Sequence, residues 1–475
     1  MFPTDDEGRR STSVVGRGVV ADALRDTDPT GARAASGATG WRTDYLVHFR
    51  RLVEAGLVSP DAAVSIARQG LASLHDRMRV LDEAGEEHPL REWPAGPRGG
   101  DELEQREVVG RGAPVTELVL PYHGDRLRGD EIRRRIDDWA EHGVVEPTVA
   151  EAIGKVLANP NWLRLQGHTV AVLGAGAEMG PLPSLMRWGA RVAAVDLDRP
   201  AIWERVLRLA NEGAGTLVVP MQEDAAGVDL LGQVPAIARW LGEQPGTLVV
   251  GNYVYADGAT NTRVSMAVDE LTRRLQADRP DVALGFLATP TDVFAVPAEA
   301  VDHSTRAYDG RSVRSKTLTR PMRTLSGGRL LRRNYVAGSD PGINDSLVPQ
   351  QGPNYALAKR LQRWRATVAR HDGATVSMSV APPTRTRSVV KNRALAAAYA
   401  GAHRFGVEVF EPATSNVLMA AMLVHDLHTG GGPRHDHPWQ DEAYAASHGG
   451  LWRAPYAPRS ALGLAALLGY GAARG

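Results

Sequence analysis

The sequence predicts an α/β protein with a doubly wound, mostly parallel sheet, preceded by an α-helical N-terminal domain. Three observations predict this fold class. Short apolar runs alternate with helical patterns after residue 168, as in strands joined by crossover helices. A glycine-rich turn follows the first apolar run, and an acidic residue follows the second. The first 165 residues carry mainly helical patterns instead.

The amino-terminal region contains no predicted catalytic group. Residues 1–40 are rich in Gly, Ser, Asp, Arg and Ala without periodicity, so we predict a flexible arm there. Apolar residues then recur at helical spacing, and Ser59-Pro60 is typical of a helix start. We therefore predict a mainly helical domain over residues 41–165.

The composition argues against several classes of function. Lys+Arg and Asp+Glu each number 55, so the formal charge is zero, and we expect neither nucleic acid nor a membrane surface as a partner. The absence of cysteine excludes disulfides, thiolate nucleophiles and cysteine metal ligands. The amino terminus does not resemble a secretory signal, and residues 461–473 are too few to span a bilayer. We expect a cytoplasmic protein.

Residues 168–200 carry the pattern on which the predicted binding site depends. Gly174, Gly176 and Gly180 directly follow an apolar run and precede a short helical pattern. In such a turn the glycines allow a tight exit from the strand, a close approach to a pyrophosphate, and close packing of helix on strand. Asp196 ends the second apolar run, where its carboxylate can accept hydrogen bonds from ribose hydroxyls. This layout indicates a Rossmann-like unit that binds a nucleotide-type cofactor.

The alternation continues to residue 288, and we predict a Rossmann-like cofactor-binding and catalytic domain over residues 166–430. In parallel sheets ligands bind beyond the carboxyl ends of the strands. This rule places Asp196, Asn252 and residues 289–292 along one edge. Residues 431–475 are predicted to form a C-terminal extension that acts as a lid or an oligomer contact, and we expect a homodimer.

A tyrosine and a lysine on one predicted helix form a second candidate site. Tyr355 and Lys359 are four residues apart and therefore share a helix face, in a chain with only four lysines. A lysine ammonium beside a phenol favours the phenolate and lowers the pKa of the tyrosine. Such a tyrosine can act as a general acid or base toward a carbonyl or alcohol oxygen.

With an apolar run and a Pro-rich, Thr-containing turn at residues 374–386, the chain resembles the short-chain dehydrogenase/reductase superfamily. That superfamily has a glycine-rich first turn, acidic residues after the second and third strands, an asparagine after the fourth, a Tyr-x-x-x-Lys helix, and a threonine-containing loop after the sixth. Counterparts occur here in the same order. They are Gly174, Gly176, Ala177, Gly180, Asp196, Asp229, Asn252, Tyr355, Lys359 and Thr384.

The resemblance implies hydride transfer between a nicotinamide and a small carbonyl or alcohol substrate. Tyr355 would be the acid/base, and Lys359 would bind the nicotinamide ribose and tune Tyr355. Ser339 is the candidate for the superfamily's active-site serine. The cofactor would be NAD or NADP, with NAD favoured because the Asp196 carboxylate repels a 2′-phosphate, although the nearby Arg199 leaves NADP open.

The glycine turn and Asp196 also resemble the first two motifs of Rossmann-like methyltransferases, which makes S-adenosylmethionine the alternative cofactor. A third alternative is a Rossmann protein with non-redox chemistry. Closely spaced histidines near the carboxyl terminus, including His425 and His428, raise the question of zinc, but we predict no metal site. The substrate is a small molecule and can be anionic, since basic residues cluster in two segments. These are Arg306, Arg311, Arg314, Lys316, Arg320 and Arg323, and then Arg385, Arg387 and Arg393.

Overall fold

The computed structural model describes residues 1–4, 7–82, 84–93, 102–311 and 321–470. Its strands are β1 Arg79–Leu81, β2 Glu87–Pro89, β3 Glu104–Val109, β4 Val119–Tyr122, β5 Asp125–Arg128, β6 His168–Leu173, β7 Arg191–Val195, β8 Thr216–Gln222, β9 Ala225–Ala226, β10 Thr247–Asn252, β11 Ala283–Ala288, β12 Val293–Val296, β13 Gly342–Asp345 and β14 Val376–Val380.

The helices before residue 300 are α1 Thr12–Leu24, α2 Pro29–Ser36, α3 Trp41–Gly56, α4 Pro60–Arg77, α5 Gly129–Glu141, α6 Pro147–Ala158, α7 Leu182–Trp188, α8 Pro200–Glu212, α9 Val234–Gly242, α10 Ala259–Asp278 and α11 Ala298–Asp309. The later ones are α12 Pro353–His371, α13 Arg387–Lys391, α14 Arg393–Gly401, α15 Pro412–His428, α16 Pro438–Ala443 and α17 Pro458–Gly469.

The central sheet has the strand order β14-β11-β10-β6-β7-β8-β3, and β9 pairs with the end of β8. All pairs from β14 to β8 are parallel, whereas β3 is antiparallel to β8. Numbered by chain order, the six parallel strands of the described residues run 3-2-1-4-5-6, the order of dinucleotide-binding sheets. The predicted fold class, a doubly wound, mostly parallel α/β sheet, is confirmed.

Alternate residues of the central strands pack on opposite faces of the sheet. In β6, Val170 and Val172 belong to the core that contains α7, α8 and α15. Ala171 and Leu173 belong to the core on the other face, which contains α9, α10 and part of α12. Because both faces are covered, every residue of such a strand can be apolar, which is why these strands appear in the sequence as unbroken apolar runs.

The first forty residues differ from the flexible arm that we predicted. Within them α1 and α2 form, and Val15, Val19 and Leu24 are buried in a core shared with α3 and α4. These apolar residues recur at helical spacing, and Ser11 caps α1 by accepting from the Val14 N–H. The glycines in α1 allow close packing on neighbouring helices instead of disrupting the helix.

The amino-terminal helices pack on α12. Leu357, Leu361 and Trp364 of α12 share one core with α1, α3 and α4. A Cβ at Gly70 in α4 would lie 2.4 Å from the Trp364 ring, so the glycine makes room for the indole. The helix that carries Tyr355 and Lys359 is therefore held between the sheet and the amino-terminal helices.

The carboxyl-terminal segment follows the edge strand β14 and returns to the body of the chain. The Ser447 N–H donates to the Val380 carbonyl, and His448 and Arg453 both donate to the buried Glu146 carboxylate before α6. Trp452 is fully buried, so this part of the predicted lid or oligomer contact packs inside the chain. No helix of the described ranges is long and apolar enough to cross a membrane.

Candidate functional site

The carboxyl edge of the sheet brings the two candidate sites together. Asn252 ends β10 directly opposite Leu173, the residue before the glycine turn. The Asn252 side chain accepts a hydrogen bond from Gln362 Nε2 at 3.3 Å, and Gln362 Oε1 accepts one from Lys359 Nζ at 3.1 Å. A continuous series of contacts therefore joins the glycine turn to the helix that carries Lys359.

The first two glycines of the turn are required by close contacts within the protein. Gly174 has a φ of +83°, and a Cβ there would lie 3.0 Å from the Tyr253 carbonyl oxygen. A Cβ at Gly176 would lie 2.9 Å from Arg205 and 3.0 Å from Ile202, both on α8. Arg205 also donates to the Gly176 carbonyl, which brings a guanidinium to the glycine turn. The turn is thus tightly held before any ligand binds.

The start of α7, the helix after the glycine turn, offers few free N–H groups to an anion. The Gly180 carbonyl accepts from Asn416, and Ala177 donates to the Gly174 carbonyl in a tight turn. Pro181 precedes α7 and Pro183 lies in its first turn, where neither has an N–H. The next two N–H groups donate back to the Pro181 carbonyl at 3.0 Å, so few donors remain for a phosphate at this helix end.

Asp196 lies at the end of β7, half-buried beside the glycine turn. Its Oδ2 accepts from the Gly176 N–H at 2.7 Å, and its Oδ1 accepts from the Leu197 N–H at 2.8 Å. Each carboxylate oxygen has two lone pairs, so both oxygens can still accept from ribose hydroxyls. Asp196 therefore holds the turn in place and remains suited to the predicted ribose contact.

The other two predicted cofactor residues serve local structure. Asp229 is exposed and accepts from the Leu231 N–H at 2.9 Å in the turn before α9. The Thr384 hydroxyl is buried, donates to the Pro382 carbonyl at 2.9 Å and shares a hydrogen bond with Ser415 at 2.7 Å. A cofactor role for these two residues stays a prediction.

Tyr355 lies in the first turn of α12, and the neighbouring Thr289 hydroxyl acts to lower its pKa. Burial raises the pKa of Tyr355 to about 12. The expected lowering by Lys359 is not found, because burial dominates the pKa and the lysine ammonium bonds elsewhere. The Tyr255 ring packs edge-on against Tyr355, with 6.3 Å between the ring centroids.

Lys359 points at the end of β11. Its Nζ donates to the Leu287 carbonyl at 3.2 Å and to Gln362 Oε1 at 3.1 Å. Burial lowers the pKa of Lys359 to about 8, and the nearby Asp292 partly opposes this effect. A lysine ammonium has three N–H donors. Two are used here, which leaves one for a ligand.

Thr289 is the hydroxyl-bearing neighbour of Tyr355 that sequence reasoning missed. It directly follows β11, the fifth parallel strand, and its hydroxyl also shares a hydrogen bond with Thr291 at 2.9 Å. The predicted serine, Ser339, lies in a turn and donates to the Val336 carbonyl at 2.9 Å. Within the described ranges no hydrogen bond joins Ser339 to Tyr355 or Lys359. The sequence predicted that Thr289 follows a strand, but it did not predict that Thr289 lies beside Tyr355.

A buried ion pair fixes the orientation of α12. Asp292 Oδ1 accepts from Arg360 at 3.0 Å, and Asp292 Oδ2 accepts from Arg363 at 2.8 Å. All three side chains are almost fully buried, and the two guanidinium groups lower the pKa of Asp292 against the effect of burial. The loop after β11 and the helix of Tyr355 and Lys359 are therefore tied together through charges that water does not screen.

The segment after β14 approaches the glycine turn. Arg387, at the start of α13, donates to both oxygens of Glu178, through its N–H at 2.9 Å and its Nε at 3.1 Å. Glu178 lies within the glycine turn. The two elements on either side of the predicted cofactor site thus meet at the surface through one ion pair.

Part of the first basic segment is engaged with tyrosines. The Arg311 guanidinium lies 3.6 Å from the Tyr308 ring centroid and donates to the Tyr456 hydroxyl at 2.8 Å. Arg323 donates to the Tyr308 hydroxyl at 3.0 Å. Arg314, Lys316 and Arg320 lie outside the described residues. An anionic substrate stays a prediction.

A cavity of about 310 Å³ lies against the edge strand β14, and none of the predicted site residues lines it. Two arginines of its wall are paired, since Arg363 bonds Glu442 and Arg370 bonds Asp441. His425, one of the carboxyl-terminal histidines, bonds Asp426 at 2.9 Å. Over the described part of the chain, the group of side chains spaced for a metal is Asp82, Glu86 and His88 near the surface, away from those histidines.

No protein-family model matches the chain, and no curated protein sequence matches it. Solved structures similar to it include an A1-type ketoreductase, with 18% identity and a TM-score of 0.32 over 55% of this chain and 47% of that chain. A thiolation-reductase di-domain from an archaeal non-ribosomal peptide synthetase shows 11% identity and a TM-score of 0.28 over 54% of this chain and 52% of that one.

The terminal R domain from the myxalamid PKS-NRPS biosynthetic pathway shows 14% identity and a TM-score of 0.31, over 58% of this chain and 68% of that one. The chain spans about half the length of the first two structures.

Proposed function

We propose that the chain is an NAD(P)-dependent oxidoreductase that acts on a small carbonyl or alcohol substrate and is a divergent relative of the short-chain dehydrogenases/reductases. One observation carries this proposal. The glycine turn with Asp196 and the helix with Tyr355 and Lys359 flank the carboxyl ends of β6 and β10, where the strand order reverses. In open α/β sheets this reversal is where dinucleotides bind.

Two residues at this edge fit the riboses of such a cofactor. Asp196 would hold the adenosine ribose with its remaining lone pairs, and Lys359 would hold the nicotinamide ribose with its third N–H. When bound, the nicotinamide supplies or accepts the hydride. The sixth parallel strand, β14, completes the dinucleotide strand order, which favours this cofactor over S-adenosylmethionine.

Tyr355 supplies the proton in the reduction direction. A pKa of about 12 keeps the phenol protonated at neutral pH, so it can donate to the carbonyl oxygen as that oxygen gains negative charge. The Thr289 hydroxyl lowers the pKa of Tyr355 against the effect of burial, so it stabilises the phenolate that remains. In the oxidation direction the phenolate form of Tyr355 would take the proton from the alcohol.

We expect nicotinamide dinucleotides to raise the melting temperature of the protein. A ligand at 100 times its Kd stabilises the folded state by about 2.7 kcal/mol through mass action. The measurement is a thermal-shift series with NAD, NADP, their reduced forms and S-adenosylmethionine, with adenosine as the control. Stabilisation by S-adenosylmethionine alone contradicts the proposal.

We expect Asp196→Ala to weaken binding of NAD more than binding of NADP. The substitution removes the acceptor for the adenosine ribose hydroxyls, which weakens binding of both cofactors. It also removes the negative charge that repels a 2′-phosphate, which strengthens binding of NADP alone. Isothermal titration calorimetry with both cofactors checks this. Asp198→Ala, at an exposed position two residues on, is the matched control and should leave both affinities unchanged. An equal loss of affinity for NAD and NADP would show that Asp196 does not bind the ribose.

A further inference from the structure

Gln362 is a buried polar side chain at the centre of the site, and the predicted chemistry leaves it unassigned. It is 3% exposed and lies three residues after Lys359 on α12. A glutamine buried at this depth requires hydrogen-bond partners for both its carbonyl and its amide. Gln362 finds them in two residues of the proposed site, Lys359 and Asn252.

The two partners fix which way the Gln362 amide points. Lys359 Nζ can only donate, so the atom that it meets at 3.1 Å must be the Gln362 carbonyl oxygen. The Gln362 amide therefore donates to Asn252 Oδ1 at 3.3 Å. This in turn directs the Asn252 oxygen toward α12.

We propose that Gln362 is the positioning residue that holds the Lys359 ammonium at the end of β11 and couples it to Asn252 at the strand-order reversal. A role of Gln362 in catalysis rests on the proposed function, whereas its hydrogen bonds to Lys359 and Asn252 do not. Lys359 is held by one backbone carbonyl and one side-chain carbonyl. Only the second of these can be changed by substitution.

The effect of Gln362 on the pKa of Lys359 can be measured separately from the effect of the charged groups around the lysine. Asp292 is the charged group that acts on the lysine, from the loop after β11. Asp292 is itself paired with Arg360 and Arg363, which lie on α12 beside Lys359 and Gln362. Substituting Gln362 leaves these ion pairs in place, so a change in the pKa of Lys359 reports the loss of its hydrogen bond to Gln362.

The test is the pKa of Lys359 in the full chain without ligand, followed by NMR of ¹³C-labelled lysine. The chain has four lysines, so the signals are few, and Lys359→Arg assigns the signal. In the wild type we expect Lys359 to titrate near pH 8. Gln362→Met removes the acceptor at similar volume and should lower the pKa by about one unit, because a hydrogen bond to the charged form favours it.

Gln362→Glu is expected to change the pKa of Lys359 in the opposite direction. It provides a second test if Gln362→Met folds poorly. A carboxylate keeps an acceptor for Lys359 and adds a negative charge, so the pKa of Lys359 should rise above the wild-type value. A Lys359 pKa that is the same in the wild type and both variants overturns the proposal. Because no cofactor is present, failure of this test is distinct from failure of nicotinamide binding.

Once a substrate is known, the pH profile of kcat provides a second readout. If Gln362 positions Lys359, the profile of Gln362→Glu shifts in the same direction as the Lys359 pKa. A purely structural role would lower the rate without moving the profile. If the pKa of Lys359 shifts but the pH profile of kcat does not, Gln362 does not influence the reaction through Lys359.

Discussion

Tyr355→Phe is expected to reduce turnover about 10²–10⁴-fold, the contribution typical of a positioned general acid or base. The substitution removes one oxygen and keeps the ring that packs against Tyr255, so the fold and the affinity for NAD(P) should remain near those of the wild type. The measurement is oxidation of NADH or NADPH with a panel of small aldehydes and ketones, alongside cofactor titration of the same variant.

Tyr255→Phe is the matched control. Its hydroxyl donates to Asp257 at 3.1 Å, and its ring is the direct neighbour of Tyr355. We expect turnover close to that of the wild type, because this hydroxyl is committed to an exposed aspartate. If Tyr355→Phe turns over at the wild-type rate on a substrate of the panel, Tyr355 is not the acid/base.

Trp364→Ala is expected to lower the free energy of unfolding by about 3–5 kcal/mol, the range for removing a buried aromatic side chain. Trp364 is 5% exposed and fills the space above Gly70, between α12 and the amino-terminal helices. The cavity left behind can only partly collapse, since the sheet supports α12 from the other side. Chemical denaturation followed by circular dichroism measures the change.

Val58→Ala serves as the comparison for this prediction. Val58 lies in the turn between α3 and α4 and is 80% exposed, so its truncation should change stability by no more than about 0.5 kcal/mol. A Trp364→Ala protein as stable as the Val58→Ala protein would show that the amino-terminal helices do not stabilise α12.

Local sequence patterns predicted the sheet because each central strand is buried on both faces. Residues 170–173 form an unbroken apolar run for this reason, and the glycine after it has a positive φ that other residues rarely adopt. That Tyr355 and Lys359 share a helix was predicted for a similarly local reason, since a separation of four residues fixes their relation on a helix. These properties depend only on neighbours in the chain.

The partners of those residues depend on distant parts of the chain, and the sequence did not predict them. Thr289 reaches Tyr355 because the Asp292–Arg363 ion pair ties the loop after β11 to α12. The apolar residues of α1 recur at helical spacing, but the surface that they cover is supplied by α3, α4 and α12, which the sequence did not predict.

The sequence by itself therefore determined the class of fold, the glycine turn with Asp196, and the Tyr355–Lys359 pair. Only the tertiary structure decided which side chains are their neighbours. It gave Lys359 a glutamine and a backbone carbonyl as partners, and it gave Tyr355 a threonine instead of the predicted Ser339. The physical reason is that hydrogen bonds and burial depend on distance in space, whereas a motif records only distance along the chain.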